Sequence, residues 1–362
     1  MKKIILTGGG TAGHVNPNLA LVPSLAVLGY EIHYVGGKDG VERGLATAAG
    51  LDYHGISAGK LRRYMSVKNF SDVFRILRGI FEALRVVRRV KPDVIFSKGG
   101  FVSVPVVAAG WMSGVPVVIH ESDMTRGLAN VLSLPFAVAV CCTFEETLKT
   151  LPAGKSHHTG APIREGLFGG DAPTGLGICG FDGSKPVVLA MGGSSGSVRL
   201  NRALREALPE LFGSFHVAHI CGSGNTDGAY AADGYAQFEY ASDELPHLLA
   251  AASVVVSRAG SNSITEFLAL AKPSLLIPLP LSASRGDQIK NAESFSKRGY
   301  ARMLPEEELE TGRLVAEINK LYSERGTYVK NMSESGVVNG TEAIVRIICE
   351  AAESRGPRRD KK

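Results

Sequence analysis

The stretch from Ser253 to Asn291 holds residue types able to bind a phosphate and a sugar. Its first four residues are a β-branched apolar run, typical of a buried parallel strand. Ser261, Asn262 and Ser263 follow after a short turn and are capping residues for a helix. Because a helix start exposes backbone N–H groups at the positive end of the helix dipole, it favours a phosphate just beyond the strand. The pattern predicts an anion site at this turn.

Side chains suited to sugar hydroxyls lie in the same helix and in the loop after the next predicted strand. Glu266, one turn into the helix, can accept hydrogen bonds from a ribose diol. Asp287, Gln288 and Asn291 follow the predicted strand and can bind further hydroxyls. An ordinary strand-to-helix turn explains either loop alone equally well. Two adjacent loops with complementary chemistry favour binding.

A glycine-rich turn, Gly8 to His14, follows the first predicted strand. Gly8, Gly10 and Gly13 fit the G-x-G-x-x-G pattern of dinucleotide-binding proteins, but the acidic residue expected at the end of the second strand is missing. This disfavours a nicotinamide cofactor, and the turn can instead hold another diphosphate. His14 is either a helix-start histidine with a satisfied ring or a general base, since its ordinary pKa of about 6.5 leaves it neutral at working pH.

These loops require parallel strands that alternate with helices. The predicted strands of the first half are Lys3–Leu6, Glu31–Val35, Asp93–Ser97, Val115–His120 and Ala137–Cys142. A second strand–helix series begins at Pro186, and its Gly192–Gly196 loop repeats the opening of the first series. The predicted fold class is therefore α/β, with two Rossmann-like halves and ligands outside the carboxyl ends of the strands.

The chain of 362 residues is expected to form about two domains. The turn-rich segment Gly160–Pro173 predicts the boundary, which we place between residues 163 and 164. The second domain then spans 164–340, and residues 355–362 form a basic tail expected to be disordered.

Basic residues are concentrated in the first half. Residues 1–163 carry 18 Lys and Arg against 11 Asp and Glu, whereas residues 164–354 carry 17 against 23. From Lys60 to Lys91, ten basic residues are interleaved with apolar ones. This stretch is either a core-packed helix with a solvated basic face or a peripheral face for an anionic membrane. A nucleic-acid face is less well supported, since no binding motif accompanies it.

Neither a signal peptide nor a membrane span is expected. Met1-Lys2-Lys3 runs directly into the first strand, and the most apolar window, Val104–Ile119, is broken by proline and glycine. The cysteines have neither zinc-ligand nor disulfide spacing, which is typical of core thiols in a reducing cytoplasm. They are Cys141, Cys142, Cys179, Cys221 and Cys349. No metal or cofactor is predicted.

Two motifs of the second half, SRAGSNSITE (257–266) and SASRGDQIKNAESF (282–295), resemble the nucleotide-sugar signature of the MurG family of bacterial cell-wall N-acetylglucosaminyltransferases. The resemblance covers nearly the whole chain. Lys98–Pro105 is similar to the family's second glycine-rich loop, with Phe101 where tyrosine is common. His120–Asp123 is similar to the family's HEQN segment, with Asp123 in place of asparagine. That replacement removes an amide and adds a second candidate base.

The resemblance implies a set of site residues. His14 is the leading base, with Asp123 and Glu121 in reserve. The acceptor diphosphate is expected at Gly10, Gly13, Gly99 and Gly100. The implied UDP-GlcNAc contacts are Thr11, Ala12, Gly13, Asp123, Arg164, Ser194, the main chain of Ala241, Ser261, Asn262, Ser263, Ile264, Thr265, Glu266, Asp287 and Gln288. The helix at Ser261 would stabilise the leaving UDP, as a metal does elsewhere.

The resemblance also implies a GT-B architecture, in which two Rossmann-like domains have parallel sheets facing a central cleft. Residues 1–163, joined by a returning helix at 341–354, would bind the acceptor and the membrane, and residues 164–340 would bind the donor. The implied reaction is an inverting transfer of GlcNAc from UDP-GlcNAc to the 4-hydroxyl of MurNAc in undecaprenyl-diphospho-MurNAc-pentapeptide. It would serve peptidoglycan synthesis at the cytoplasmic face of the cell membrane, without nucleic acid. A UDP-GlcNAc 2-epimerase, a glycolipid synthase using diacylglycerol and a non-catalytic nucleotide-sugar sensor stay open.

Overall fold

The computed structural model describes residues 1–59, 68–193, 196–336 and 339–354, with the side chains of 68–73 left out. The chain forms two compact units. The first comprises Met1–Arg164 and Asn339–Lys362, and the second comprises Glu165–Val338. The predicted tail, 355–362, lies outside the described residues, as do residues 60–67 of the basic stretch.

Seven described strands form the sheet of the first unit. They are β1 (Lys2–Thr7), β2 (Tyr30–Gly37), β3 (Asp52–Ile56), β4 (Val94–Ser97), β5 (Val117–Glu121), β6 (Ala139–Cys142) and β7 (Ser156–His158). All pair in parallel, in the order β3-β2-β1-β4-β5-β6-β7. The order reverses between β1 and β4, and ligands of such sheets bind at the carboxyl ends beside that reversal.

Helices cover both faces of this sheet. They are α1 (Ala12–Val27), α2 (Val41–Ala48), α3 (Lys68–Val90), α4 (Ser103–Met112), α5 (Leu128–Ser133), α6 (Glu145–Leu148) and, from the end of the chain, the returning helix Thr341–Ser354. Because side chains alternate along a strand, Ile4 packs with Leu21 on one face and Ile5 packs with Val87 on the other.

The returning helix belongs to the first unit, where it packs against α1, β4 and β5. A two-way hydrogen-bond pair anchors its start: Ile163 N donates to Asn339 Oδ1 (2.9 Å), and Asn339 Nδ2 donates to Ile163 O (3.0 Å). Ile344 and Ile348 are fully buried in the same core cluster as Ile4.

Six described strands form the sheet of the second unit. They are β8 (Val187–Met191), β9 (His216–Ile220), β10 (Tyr235–Phe238), β11 (Ala252–Ser257), β12 (Ser274–Leu276) and β13 (Ala301–Met303). They are again parallel, in the order β10-β9-β8-β11-β12-β13, so the order reverses between β8 and β11. Both sheets therefore have the predicted α/β, Rossmann-like topology.

Seven helices of the second unit are described. They are α7 (Ala172–Cys179), α8 (Val198–Leu211), α9 (Leu245–Ala251), α10 (Ser261–Ala269), α11 (Asp287–Lys297), α12 (Thr311–Ser323) and α13 (Arg325–Ser333); the returning helix of the first unit is then α14. Leu204 of α8 and Ile318 of α12 share one fully buried cluster with Val188 and Val254 of the sheet. Across the described residues of both units, no helix is long and apolar enough to cross a membrane.

Candidate active site

The glycine turns after β1 and β4 meet where the strand order of the first sheet reverses. A Cβ on Gly100 would lie 2.2 Å from the carbonyl oxygen of Gly9, and one on Gly10 would lie 2.7 Å from the Phe101 ring. Gly99 also has a positive φ, of 87°. Only glycine permits both the backbone angles and this approach. Gly10, Gly99 and Gly100, predicted to bind a diphosphate, thus lie in adjoining turns, and Gly13 lies in the first turn of α1.

A buried carboxylate holds the first of these turns from behind. Glu42, 1% exposed at the start of α2, accepts hydrogen bonds from Gly10 N (3.2 Å) and Gly37 N (2.8 Å). An acidic residue was expected at the end of β2, and Glu42, five residues beyond that end, was not predicted. Its position in the first helical turn after a strand that ends in two glycines was the available signal.

His14 lies in the first turn of α1, beside the first glycine turn. Its Nδ1 is 3.0 Å from Thr11 Oγ1, and its main-chain N donates to Thr11 O (3.1 Å). Buried Asn18 ties this turn to the sheet by donating to Thr7 O (3.1 Å) and His14 O (3.4 Å). If Nδ1 donates its proton to the Thr11 hydroxyl, the lone pair of a neutral ring is on Nε2, where a general base needs it.

Glu121, at the end of β5, shapes the loop that follows this strand. It is 4% exposed, and its two oxygens accept hydrogen bonds from Gly127 N (2.8 Å), Asn130 Nδ2 (2.9 Å) and Asp123 N (3.3 Å). Burial raises the pKa of Glu121, and the hydrogen bond from Asn130 opposes that rise. These contacts make Glu121 a support for the loop, whereas Asp123 is half-buried and nearer to solvent.

Lys98, directly after β4, is the second residue that the sequence analysis missed. It is 1% exposed, and its Nζ lies 2.7 Å from His120 Nδ1 and within hydrogen-bonding distance of Ser122 Oγ. Burial lowers the pKa of Lys98 to about 7, against the upward pull of Glu121 and Asp123. A lysine that closely follows the apolar run Val94–Phe96 and precedes two glycines was the signal for it.

In the second unit, α10 begins directly after β11, as predicted, but with a different cap. Gly260 is the N-cap residue, and no described side chain caps the helix, so the expectation that Ser261, Asn262 and Ser263 act as caps was wrong. They occupy the first helical turn instead, because glycine adopts the extended capping conformation there at φ −66° and ψ 133°. The backbone N–H groups of this turn are left without a side-chain cap.

The side chains of α10 differ in what they can contribute. Ile264 is fully buried and Thr265 is 5% exposed, with its hydroxyl donating to Ser261 O and Asn262 O (2.9 Å each). A ligand contact from either would therefore come from the main chain. Glu266, Asn262 and Ser263 are partly exposed.

Arg258, the third missed residue, braces this turn from inside the second unit. It is 7% exposed and donates to Ser197 Oγ (2.6 Å) and to Ile277 O (3.0 Å), and it forms an ion pair with buried Glu306. One guanidinium thus joins the turns that follow β8, β11 and β12. Its place directly after a buried strand was the signal for it.

The start of α11 holds the predicted sugar-binding residues. Gln288 Oε1 accepts from Leu279 N (3.1 Å), and the side-chain nitrogen of Gln288 makes no hydrogen bond within the described part of the chain. Asp287 Oδ2 is paired with Arg285 (2.7 Å). The sugar contact predicted for Asn291 was wrong, because its side chain is fully buried and donates to Ala259 O (3.2 Å).

Five further predicted residues lie elsewhere. Ala241 is 7% exposed and precedes α9, so that only its main chain is suited to contact a ligand. Arg164 is partly exposed at the end of the first segment of the first unit, and Thr11 and Ala12 lie at the start of α1. Ser194 lies outside the described residues. No group of three or more His, Cys, Asp or Glu in the described chain is arranged to hold a metal ion.

Two Rossmann-like units, each with a glycine-rich turn and a helix start at the reversal of its strand order, are the architecture of the GT-B glycosyltransferases. The family model of the glycosyltransferase family 28 N-terminal domain matches residues 4–142, and that of the family 28 C-terminal domain matches residues 187–347. The chain belongs to glycosyltransferase family 28.

Curated relatives extend this match over nearly the whole chain. The chain is 54% identical over 348 residues to the "UDP-N-acetylglucosamine--N-acetylmuramyl-(pentapeptide) pyrophosphoryl-undecaprenol N-acetylglucosamine transferase" of Clostridium tetani (strain Massachusetts / E88), covering 96% of this chain and 97% of that protein. It is 53% identical over 353 residues to the transferase of the same name from Geobacillus kaustophilus (strain HTA426), covering 97% and 99%.

Solved structures show the same fold. The crystal structure of Acinetobacter baumannii MurG matches with a TM-score of 0.76 and 24% identity, covering 97% of this chain and 100% of that one. The UDP-GlcNAc 2-epimerase of Neisseria meningitidis, bound to UDP-GlcNAc, matches with a TM-score of 0.66 and 13% identity, covering 97% and 100%. At these identities the likeness concerns the fold alone.

Proposed function

We propose that this protein transfers GlcNAc from UDP-GlcNAc to the 4-hydroxyl of MurNAc in undecaprenyl-diphospho-MurNAc-pentapeptide, with inversion at the anomeric carbon. The observation that carries the proposal is the identity of more than half over nearly full length to transferases whose names state these substrates. The two glycine-rich turns and the uncapped start of α10 provide the phosphate-binding groups that both substrates need.

The donor half of the site consists of the turns that follow β8, β11 and β12 in the second unit. The first turn of α10 binds the diphosphate through its backbone N–H groups, with Ser194 and Arg164 as further contacts. Glu266 accepts hydrogen bonds from the ribose, the main chain of Ala241 contacts the uracil, and Gln288 donates its amide to a GlcNAc hydroxyl. As UDP leaves, negative charge grows on its phosphate, and the α10 dipole stabilises that charge.

The acceptor half consists of the turns that follow β1, β4 and β5 in the first unit. The turns at Gly10 and at Gly99–Gly100 bind the lipid diphosphate. His14 Nε2 takes the proton of the 4-hydroxyl as its oxygen bonds to the anomeric carbon and the bond from that carbon to UDP breaks. Asp123 is the reserve base, and the three hydrogen bonds to Glu121 support a positioning role for it.

A membrane-facing surface on α3 would bring the first unit to its lipid-linked acceptor. Phe74, Leu77 and Phe81 share one helical face and are 63%, 58% and 56% exposed. Arg85 lies over the Phe81 ring at 4.4 Å, and Arg78 is also exposed on this helix. Exposed aromatic residues beside cations are suited to an anionic bilayer surface, which supports peripheral attachment at the cytoplasmic side.

The test measures UDP release from UDP-GlcNAc with and without a short-chain lipid-linked muramoyl-pentapeptide diphosphate, with EDTA in a parallel series. We expect release that depends on the acceptor and resists EDTA. Conversion of UDP-GlcNAc to its 2-epimer without acceptor would identify an epimerase. Release that requires diacylglycerol would identify a glycolipid synthase. Binding of UDP-GlcNAc without any turnover would identify a sensor.

A further inference from the structure

We propose that Lys98 is a positioning residue of the acceptor half, a buried cation that joins the turn after β4 to the segment after β5 and provides positive charge for the acceptor diphosphate. The inference rests on the proposed function for the identity of that acceptor. Lys98 directly precedes Gly99 and Gly100, which form the turn assigned to the diphosphate.

The geometry fixes Lys98 at both ends. Its main-chain N donates to Thr7 O (2.9 Å), which ties the turn after β4 to the end of β1. Its Nζ reaches across to β5, 2.7 Å from His120 Nδ1 and in contact with Ser122 Oγ. The three strand ends that carry the acceptor half are therefore linked through one residue, by its main chain to β1 and by its side chain to β5.

The hydrogen-bond directions in this cluster follow from His120. Its Nε2 lies 3.0 Å from the carbonyl oxygen of Gly160, which can only accept, so Nε2 carries the proton. Nδ1 of the neutral ring is then an acceptor, and the Lys98 ammonium donates to it. Burial and the charge of Lys98 keep the pKa of His120 well below its ordinary value, in agreement with a neutral ring.

An ammonium has three N–H groups, and His120 and Ser122 use two of them. The titratable groups that act on Lys98 are Glu121 at the end of β5, Asp123 after that strand and the Cys141 thiol of β6, and the His120 ring is neutral. Burial disfavours the charged form of Lys98, and a bound diphosphate at the next two residues would favour it. Acceptor binding should therefore be coupled to proton uptake by Lys98.

The experiment compares steady-state kinetics of wild type, Lys98→Gln, Lys98→Met and Ser122→Ala, with the exposed Lys149→Gln as control. For Lys98→Gln we expect the acceptor KM to rise about tenfold or more, with kcat and the KM for UDP-GlcNAc within about twofold of wild type. The reason is that the variant loses binding energy that is the same for the bound acceptor and for the transition state. Lys98→Met should raise the acceptor KM by at least as much, and Ser122→Ala should raise it by less.

The pH profile gives a readout that a merely structural residue would not change. In wild type the acceptor KM should rise with pH above about 7, as free Lys98 loses its proton, and Lys98→Gln should remove this dependence. An acceptor KM of Lys98→Gln within twofold of wild type, or an equal rise in both KM values, would overturn the proposal. If the Lys98 variants do not fold, Ser122→Ala decides, and an unchanged acceptor KM overturns it.

A failure of the proposed function is separable from a failure of this inference. If wild type shows no acceptor-dependent UDP release, binding of inorganic pyrophosphate is measured by calorimetry in UDP-saturated protein, so that the donor half is occupied. Weaker binding and less proton uptake in Lys98→Gln than in wild type would support the role of Lys98 without any transferase activity. Equal binding in the two proteins would overturn it.

Discussion

Thr11 Oγ1 lies 3.0 Å from His14 Nδ1, where the hydroxyl can accept a hydrogen bond from a protonated Nδ1. With the proton on Nδ1, the lone pair of a neutral ring is on Nε2. Thr11 is the N-cap residue of α1, the helix that carries His14 in its first turn. The same two residues come three positions apart in the sequence, yet only the turn geometry brings their side chains together.

Replacing Thr11 by valine should lower kcat by about tenfold, because the ring loses the partner that orients it, while Thr11→Ser should stay near wild type. His14→Ala should lower kcat by roughly a hundredfold or more, which is the usual contribution of a general base. In the His14→Ala background, Thr11→Val should add no further loss. A full additional loss in the double variant would show that Thr11 acts on the substrate directly.

Removing Arg258 should destabilise the second unit, because buried Glu306 would lose its close ion pair and keep only the pair with Arg199 at 3.9 Å. We expect Arg258→Met to lower the free energy of unfolding by about 3–5 kcal/mol and to weaken UDP binding. The double variant Arg258→Met/Glu306→Gln should recover part of the stability. The measurement is denaturant unfolding, followed by UDP titration of the folded variants.

The control for Arg258 is Arg202, whose pair with Glu206 is largely exposed, at 72% and 52% for the two side chains. Arg202→Met should change the free energy of unfolding by less than about 1 kcal/mol, as exposed ion pairs usually do. Equal losses for Arg202→Met and Arg258→Met would contradict the bracing role of Arg258.

Gly100→Ala should disrupt the acceptor half, since its Cβ would lie 2.2 Å from the carbonyl oxygen of Gly9. Gly114→Ala is the matched control: Gly114 also has a positive φ, of 65°, but an added Cβ meets nothing within 4 Å. Both variants carry the backbone strain of about 1–2 kcal/mol, and only Gly100→Ala adds the clash. Thermal unfolding and acceptor KM should therefore change much more for Gly100→Ala.

The strands that formed the two cores were predictable, because Ile4, Ile5 and Leu6 and their counterparts are continuous apolar runs. The five predicted strands of the first half agree with the structure to within two residues at their ends. β3 and β7 were not predicted, since they lie at the two edges of the sheet, and sequences such as Asp52–Ile56 are partly exposed and have no apolar run.

The glycine turns of the site were predictable and their supports were not. A turn needs glycine at particular positions, so Gly10 and Gly100 are visible in the sequence. Glu42, Lys98 and Arg258 act through contacts to residues 32, 22 and 61 positions away, and such pairings follow only from the order of the strands. Lys98 and Arg258 share one local sign, a charged residue directly after a strand, whereas Glu42 lies five residues beyond the end of β2.

The exposed face of α3 should be needed for membrane binding. We expect Leu77→Ser/Phe81→Ser to reduce binding to vesicles that contain anionic phosphatidylglycerol by about tenfold or more. The reason is that two apolar side chains, exposed in the free protein, would no longer be buried in the bilayer surface. Val27, 87% exposed at the end of α1, supplies the control, and Val27→Ser should bind as wild type does. Equal losses in both variants, measured by vesicle sedimentation, would mean that α3 is not the membrane face.

His219 should make the second unit sensitive to acid. It is fully buried, with Nδ1 2.8 Å from Tyr235 OH and Nε2 3.0 Å from Asn201 Oδ1, and burial lowers its pKa to about 3. Its pKa in the unfolded chain is about 6.5, so between these values the unfolded state binds one more proton and stability falls as the pH falls.

Protonation of His219 in the unfolded chain has almost no effect on stability at pH 7.5 and lowers the free energy of unfolding by about 2 kcal/mol at pH 5. The variant His219→Gln lacks this effect. The stability difference between wild type and His219→Gln should therefore shift by that amount in favour of the variant on acidification. Because His120 is present in both proteins, its own titration cancels in the comparison. The control is His157→Gln, which removes a histidine that is already exposed to solvent in the folded protein. A pH-independent difference for His219→Gln would show that the network around His219 accommodates the proton, contrary to the effect expected from burial.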